Sequence, residues 1–221
     1  MENNTTATTV LPLEQLYAQG QYSQFITKVM EAQSQYSPAQ YHMMLGSAYA
    51  KKGDLAVGRY HLEKAKQLGF HGTDLSNNLA AIKQRLKVQD LSTSKSTSDQ
   101  FTYYMCRIPR ELYWSSSLIL GAMALYFILK SNFKRWALCA IILLLATLPT
   151  IYERTVVSQT HFAVSLQEGH VSEGPSKIFG DKINLPAGAM VVIGRSVDNW
   201  VFIEAPLIYS GWVDRSLLGF Y

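Results

Sequence analysis

The sequence has few cysteines and few charged residues. Its 221 residues include only Cys106 and Cys139, which are too few and too far apart for a disulfide framework. Charged side chains make up 16% of the chain, against about 25% in ordinary soluble domains, whereas hydrophobic residues reach 48%. A chain this rich in hydrophobic residues is not disordered.

The sequence also lacks the motifs of catalysis, metal binding and phosphate binding. Its five histidines are scattered, and it has no HExxH, no paired CxxC, no glycine-rich phosphate loop and no GxSxG. Cys106 lies beside an apolar run and Cys139 within one, so neither has the basic, partly exposed setting of a nucleophile. We therefore predict no catalytic, cofactor-binding or metal-binding residue and no enzymatic activity.

The net charge of +4 comes from the middle of the chain. Residues 106–154 hold six Lys and Arg against two Asp and Glu, whereas the two flanking parts are nearly balanced. Neither flank shows the basic face with interleaved aromatic residues that is typical of nucleic-acid-binding domains. Nucleic acid is therefore not an expected partner.

Two uncharged runs in this middle part predict a membrane hairpin. Leu112 to Leu129 is 18 residues long and Trp136 to Tyr152 is 17 residues long. As helices they reach roughly 26 Å each, close to the thickness of the hydrocarbon core of a bilayer. The aromatic residues at the ends of both runs suit the membrane interfaces, and the lipid bilayer is thus a partner. The predicted hairpin covers 106–154, with spans at about 112–130 and 136–152.

The density of positive charge predicts the orientation of the hairpin. Lys130, Lys134 and Arg135 cluster at the turn, which favours a cytoplasmic turn and two periplasmic soluble domains in a bacterial inner membrane. A periplasmic N-terminal domain needs a signal peptide, which residues 1–10 do not resemble. Either the numbering begins at a mature chain, which we favour, or the topology is reversed and a cytoplasmic domain recruits soluble partners.

Small and apolar residues repeat in the N-terminal part. Leu45-Gly46-Ser47-Ala48-Tyr49 is followed by Gly53-Asp54-Leu55, and a shift of 33 residues places Gly20-Gln21-Tyr22 over this second motif. This spacing resembles that of tetratricopeptide repeats, in which small residues allow helices to cross closely. A flexible N-terminus at 1–10 and an α-helical tetratricopeptide-repeat stack at 11–88 are predicted, with helices at 11–19, 22–35, 39–52, 55–68 and 74–88.

The resemblance to tetratricopeptide repeats implies a surface that binds a peptide. Its predicted partner-binding residues are Met43, Lys51, Asn77 and Arg85, of which the last three would hold a carboxylate by charge-assisted hydrogen bonds. The alternative is that they are ordinary solvated helix residues. After the repeats, the polar, Ser- and Thr-rich segment 89–105 predicts a flexible tether.

Short alternating strands with regular turns predict a small all-β barrel at 155–221. Gly174-Pro175-Ser176, Leu185-Pro186-Ala187-Gly188 and Gly211-Trp212-Val213 make this part similar to bacterial SH3-type domains. That family usually has an arginine two residues before the Gly-Pro-Ser, where this chain has Ser172. Trp200 and Trp212 are predicted to form an aromatic cleft for a peptide or a peptidoglycan fragment, or else to pack in the core of the barrel.

The order of these parts is that of one known family. Helical repeats, a tether, a two-span hairpin and an SH3-type barrel resemble the BatE family, which is encoded in bacterial aerotolerance operons together with von Willebrand A-type membrane proteins. The resemblance implies a non-enzymatic adaptor of the inner membrane that holds other Bat proteins in a complex. The alternative function is an envelope sensor whose SH3-type domain binds peptidoglycan or peptide.

Overall fold

A computed structural model of the chain describes residues 12–130 and 136–221. The predicted flexible N-terminus, at 1–10, and the predicted turn of the membrane hairpin lie outside the described residues. The described part contains eight α-helices followed by seven β-strands. The chain is thus divided into a helical part, a pair of long apolar helices and a sheet, in that order.

The first five helices follow the predicted positions closely. Ser37 caps the third helix, because its Oγ accepts a hydrogen bond from the backbone N of Gln40 at 3.3 Å, and Pro38 occupies the first turn. Gly53 ends this helix at a φ of 106°, a left-handed conformation that favours glycine. The five helices are α1 (Leu13–Ala18), α2 (Tyr22–Glu31), α3 (Pro38–Lys52), α4 (Leu55–Gln67) and α5 (Thr73–Leu86).

Glycines allow α3 and α4 to cross at close range. A Cβ atom on Gly46 would lie 2.6 Å from Cγ of Leu62, and one on Gly58 would lie 2.9 Å from the backbone N of Ala50. Both positions are buried, so no larger side chain fits without displacing a helix. One apolar cluster fills the space among α1, α2 and α3, and a second one fills the space between α4 and α5.

The segment predicted as a flexible tether contains a helix and packs against the sheet. Helix α6 (Thr97–Met105) lies within it, and Leu91 is fully buried beside Met190 of the sheet, where its backbone N donates to the Met190 carbonyl at 3.2 Å. Asp99 is also buried and accepts a hydrogen bond from Ser94 Oγ at 2.6 Å. The Ser and Thr side chains of this segment make local hydrogen bonds to neighbouring residues.

Two long helices, α7 (Arg110–Lys130) and α8 (Trp136–Thr155), pack against each other. Both are long and apolar enough to cross a membrane, with mean hydropathies of 1.7 for Arg110–Lys130 and 1.5 for Ala140–Gln159. Only 11% of each apolar window is buried, whereas the core helix of a soluble domain is mostly buried. Where α7 begins and α8 ends, Arg110 Nε forms an ion pair with the buried Glu153 at 2.8 Å.

The C-terminal part is a seven-stranded antiparallel sheet with the order β3-β2-β6-β5-β4-β1-β7. The prediction of a closed barrel is wrong, because the end strands β3 and β7 pair with one neighbour each and not with each other. The short β7, which the sequence pattern did not predict, lies beside β1 and leaves the sheet open. The strands are β1 (His161–Ser165), β2 (Gly169–Ser172), β3 (Asp181–Leu185), β4 (Met190–Val197), β5 (Trp200–Ala205), β6 (Gly211–Asp214) and β7 (Leu218–Phe220).

Alternation along the strands separates a buried face from an outer face. Val201 and Ile203 of β5 and Val213 of β6 belong to the apolar core of the sheet. Trp200 and Phe202 alternate with them and therefore lie on the other face. Helix α4 packs against β1 and β7, so the helical part and the sheet meet along one side of that helix.

Candidate functional site

The predicted peptide-binding residues of the helical part lie on α3 and α5, which contact each other. Asn78 Nδ2 donates a hydrogen bond to Ser47 Oγ at 3.0 Å and thereby joins the two helices. Of the predicted residues, Met43 is half-buried against the apolar cluster between α4 and α5. The other three are exposed on the two neighbouring helices: Lys51 on α3, and Asn77 and Arg85 on α5.

The two predicted tryptophans lie on the outer face of the sheet, on neighbouring strands. Trp212 pairs with Phe202 across β5 and β6, and the two rings meet edge to face with centroids 5.4 Å apart. The guanidinium of Arg195 lies over both rings, 5.2 Å from Phe202 and 5.3 Å from Trp212. Trp212 is only 6% exposed, whereas Trp200 is half-buried and lies opposite Asp214. We call these four side chains, Trp200, Phe202, Trp212 and Arg195, the aromatic face.

A polar turn borders the aromatic face. Asp214 Oδ1 accepts hydrogen bonds from Asn199 Nδ2 at 2.7 Å and from the backbone N of Ser216 at 2.9 Å. These hydrogen bonds, above all those from Ser216, hold the pKa of the Asp214 carboxyl below its usual range. The turn beside Trp200 therefore carries a fixed negative charge. Phe202 and Arg195 were not predicted, although the alternation of Trp200 and Phe202 along β5 was a signal for the former.

A buried ion pair joins the helical part to the sheet. Arg59 of α4 is 1% exposed, and its Nη1 lies 2.5 Å from Oδ2 of Asp90, which is equally buried. The same Nη1 donates to the carbonyl of Gly188 at 2.7 Å, next to strand β4. Nothing in the sequence pattern predicted this contact, because it joins residues far apart in the chain. It fixes α4, the segment after α5 and the sheet to one another.

A second buried carboxylate, Glu63, lies on α4 one turn after Arg59. Glu63 is 3% exposed and forms ion pairs with Arg107 at 3.2 Å and with Lys83 at 3.7 Å. The guanidinium of Arg107 also lies 4.1 Å from the centre of the Tyr103 ring. Burial lowers the pKa of Lys83, partly offset by the charge of Glu63. This cluster links α4 and α5 to α6 and to the residues just before α7.

A cavity of 490 Å³ lies beside this cluster. It is surrounded by α4, α6, the residues that lead into α7, the residues that follow α8, and the sheet. Its volume falls in the range of about 300–1,000 Å³ that is typical of ligand-binding pockets. Its polar and aromatic lining residues include Glu63, Lys66, Tyr103, Arg107, Glu111 and Tyr221. We call it the junction cavity.

Two histidines form an unexpected pair between α3 and α4. Nδ1 of His42 lies 2.8 Å from Nδ1 of His61, so one imidazole donates and the other accepts. The ring of Tyr49 is stacked on His61 with centroids 5.5 Å apart. Burial, together with the charges of His42 and Lys64, lowers the pKa of His61 to about 3. Within the described residues, no group of three or more His, Cys, Asp or Glu side chains could hold a metal ion.

Cys106 lines the junction cavity and lies just before α7. Burial raises the pKa of its thiol, and the nearby Thr160 partly offsets this effect. A raised pKa keeps the sulfur protonated, which is the opposite of the setting of a reactive thiolate.

Comparison with known proteins identifies no relative. No family model matches the chain, and no curated protein or solved structure matches it significantly. The function must therefore be inferred from the residues and their contacts.

Proposed function

We propose that this chain is a non-enzymatic, membrane-anchored scaffold of a Bat-type complex in a bacterial inner membrane. The observation that carries the proposal is the set of buried ion pairs, Arg59 with Asp90 and Glu63 with Arg107, close to the start of α7. It holds two separate surfaces, the exposed residues of α3 and α5 and the aromatic face, in a fixed arrangement. A scaffold needs such a platform, because a fixed geometry lowers the entropic cost of holding two partners together.

In this proposal α7 and α8 span the bilayer. Helix α7 has 21 residues and is therefore about 31 Å long, which matches the hydrocarbon core of a membrane. Lys130, at the end of α7, lies next to Lys134 and Arg135 in the sequence, and this cluster favours a cytoplasmic turn. The helical part and the sheet would then both be periplasmic.

The helical surface would hold a partner segment that carries carboxylates. Each of the helices α2 to α5 contacts the next one along the chain, and glycines lie at the crossing of α3 and α4, which supports their assignment as two tetratricopeptide-type repeats. Lys51, Asn77 and Arg85 then present two positive charges and an amide from adjacent helices. The von Willebrand A-type Bat proteins are the proposed partners, as the BatE resemblance implies.

A second candidate function is an envelope sensor, and the aromatic face favours it. Rings at fixed positions with a guanidinium above them can stack on a peptide or on the sugar rings of peptidoglycan. Trp200 and Phe202, both half-buried, are the accessible rings of this surface, because Trp212 is almost fully covered. A sensor would gain or lose partners when wall fragments are added.

Co-purification from mild detergent tests the scaffold. We expect the wild-type chain to capture von Willebrand A-type membrane proteins, and the double variant Lys51→Glu/Arg85→Glu to lose them, since it reverses both charges. The matched control Lys28→Glu/Lys95→Glu makes the same change of charge at other lysines. Equal capture by both variants would contradict the proposed surface. Capture that changes with added muropeptides would favour the sensor.

Cysteine labelling tests the orientation. Single cysteines at Lys95, which is exposed, or at Asn132, in a Cys106→Ser/Cys139→Ser background, would be treated with a membrane-impermeant maleimide in spheroplasts. Labelling at position 95 alone is the expected result for periplasmic domains. Labelling at position 132 alone would show the reversed topology, with soluble cytoplasmic partners.

A further inference from the structure

The junction cavity has the position of a membrane-surface site. Helix α7 begins at Arg110 and α8 ends at Thr155, so both long helices meet the soluble parts at the same level. Ile108 and Pro109, which lead into α7, and Val157, which follows α8, line the cavity. If these helices cross the bilayer, as proposed above, the cavity opens at the level of the lipid headgroups.

Positive charge in the cavity is only partly neutralised. Arg107 shares its charge with the buried Glu63, which Lys83 also approaches. Lys66 lines the same cavity and, within the described part of the chain, makes no ion pair. Burial and the neighbouring charge of Arg107 lower the pKa of Lys66, and the charge of Glu63 only partly offsets this effect, so an anion in the cavity would stabilise the Lys66 ammonium.

The cavity also has a negative side. Glu111 lines it from the first turn of α7, and no ion pair to this carboxylate is found in the described residues. A ligand with negative charge alone would be repelled by Glu111, and one with positive charge alone would be repelled by Lys66 and Arg107. Apolar side chains, among them Phe162 and Met190, form the rest of the wall.

We propose that the junction cavity binds the headgroup of a zwitterionic aminophospholipid. Lys66 and Arg107 hold the phosphate, Glu111 pairs with the ammonium, and the apolar lining at Ile108 and Val157 receives the first part of the acyl chains. A lipid bound in this way would join the helical part, the hairpin and the sheet at their common boundary. The inference rests on the proposed membrane anchorage.

Native mass spectrometry of the full-length chain in detergent tests this site, with dihexanoyl-phosphatidylethanolamine as the probe. We expect one bound lipid per chain, and about tenfold weaker binding to Lys66→Gln, as for the loss of one charge-assisted hydrogen bond. Lys66→Arg keeps the charge and is expected to retain binding. Lys95→Gln removes a lysine charge outside the cavity and should bind like the wild type.

The headgroup is tested with three further probes and one variant. Glu111→Gln should weaken binding of the ethanolamine lipid but not that of dihexanoyl-phosphatidylglycerol. Inorganic phosphate, added at the concentration at which the ethanolamine lipid saturates the site, should not displace that lipid. Dihexanoyl-phosphatidylcholine should bind more weakly than the ethanolamine lipid, because its quaternary ammonium donates no hydrogen bond. Preference for phosphatidylglycerol would overturn the zwitterionic assignment. Displacement of the lipid by inorganic phosphate would show that the site binds a free phosphate rather than a lipid headgroup.

The outcome for Lys66 separates this inference from the proposed anchorage. Equal binding by the wild type and Lys66→Gln, or equal losses in Lys66→Gln and Lys66→Arg, would overturn the lipid site. Membranes washed with alkaline carbonate provide the second reading. A chain that stays in washed membranes but binds no lipid contradicts the lipid site alone, whereas a chain that washes off contradicts the anchorage.

Discussion

Helix α4 buries two faces by different means. Towards α3 it presents Gly58 and Leu62, which fit against the glycine and alanine positions of that helix with no room for another atom. Towards the sheet and α6 it presents Arg59 and Glu63, both almost fully buried and both paired with charges from distant parts of the chain. One helix thus makes an apolar contact by shape on one side and a charged contact by pairing on the other.

The two faces respond differently to change. Apolar packing tolerates small losses of volume but resists added bulk, because neighbouring helices must move apart. In a buried ion pair, removing one partner costs much more stability than removing both, because the remaining charge is left without compensation. The charged face therefore specifies which surface of the sheet meets α4, and the apolar face specifies how closely α3 approaches.

The largest expected effect is on the charged face. Arg59→Met leaves the Asp90 carboxylate buried without its cation, and we expect a loss of about 3–5 kcal/mol in the free energy of unfolding. The measurement is denaturant unfolding in detergent micelles, followed by tryptophan fluorescence. Asp90 also accepts a hydrogen bond from the backbone N of Ser92 at 2.9 Å, which holds the local turn.

The double variant Arg59→Met/Asp90→Asn is the matched control. It removes both charges but keeps an oxygen for Ser92, so most of the lost stability should return. If the double variant is as unstable as Arg59→Met, the charge left on Asp90 is not the cause of the loss.

The next effect is on the apolar face. A Cβ atom on Gly46 would lie 2.9 Å from the backbone N of Leu62, so Gly46→Leu forces α3 and α4 apart. We expect a loss of about 3 kcal/mol, at the upper end of the range for overpacking, together with loss of partner capture but normal membrane insertion. Ala80→Leu, on the exposed side of α5, adds the same side chain without this clash. A Gly46→Leu protein that still captures the same partners would contradict the role of the repeats.

The histidine pair between the same two helices adds a dependence on pH. His61 has a folded-state pKa of about 3 against 6.5 in the unfolded chain, so only the unfolded chain takes up this proton between these values. The contribution of His61 to stability is therefore fully present above pH 6.5 and is lost as the pH drops towards 3. At pH 5 the expected loss through His61 is about 2 kcal/mol.

His61→Phe tests the origin of this slope. Phenylalanine keeps a ring beside Tyr49 but does not titrate, so unfolding measured between pH 7.5 and 5 should show a shallower loss than in the wild type. The other titratable groups that act on His61 are Lys64 and His42. The pKa of His42 is also lowered, mainly by burial. His71→Phe, at an exposed position, should keep the wild-type slope.

The sequence predicts the close crossing of α3 and α4 but not the charged face of α4. Gly46 belongs to the repeated motif of small and apolar residues, and the predicted helices at 39–52 and 55–68 nearly match α3 and α4. Arg59 and Glu63 look like the solvated residues of any helix, because their partners lie in other elements.

The other differences between prediction and structure have the same cause. The polar segment 89–105 carries no periodic pattern, although Leu91 and Asp90 dock on the sheet and on α4. Whether a set of strands closes depends on pairing between the ends of the sheet, which alternation within each strand does not encode. Local spacing thus predicts elements, whereas contacts between distant residues decide how those elements meet.

The smallest expected effect concerns an ion pair of the same chemistry on the surface. Lys28 Nζ lies 2.9 Å from Glu31 on α2, but the two side chains are 44% and 58% exposed. Water already solvates both charges, so Lys28→Ala should change the free energy of unfolding by less than about 1 kcal/mol, and added salt should remove most of the difference. A loss as large as that of Arg59→Met would show that burial is not what makes the charged face of α4 sensitive. A small, salt-dependent loss would assign that sensitivity to the exclusion of water from Arg59 and Asp90.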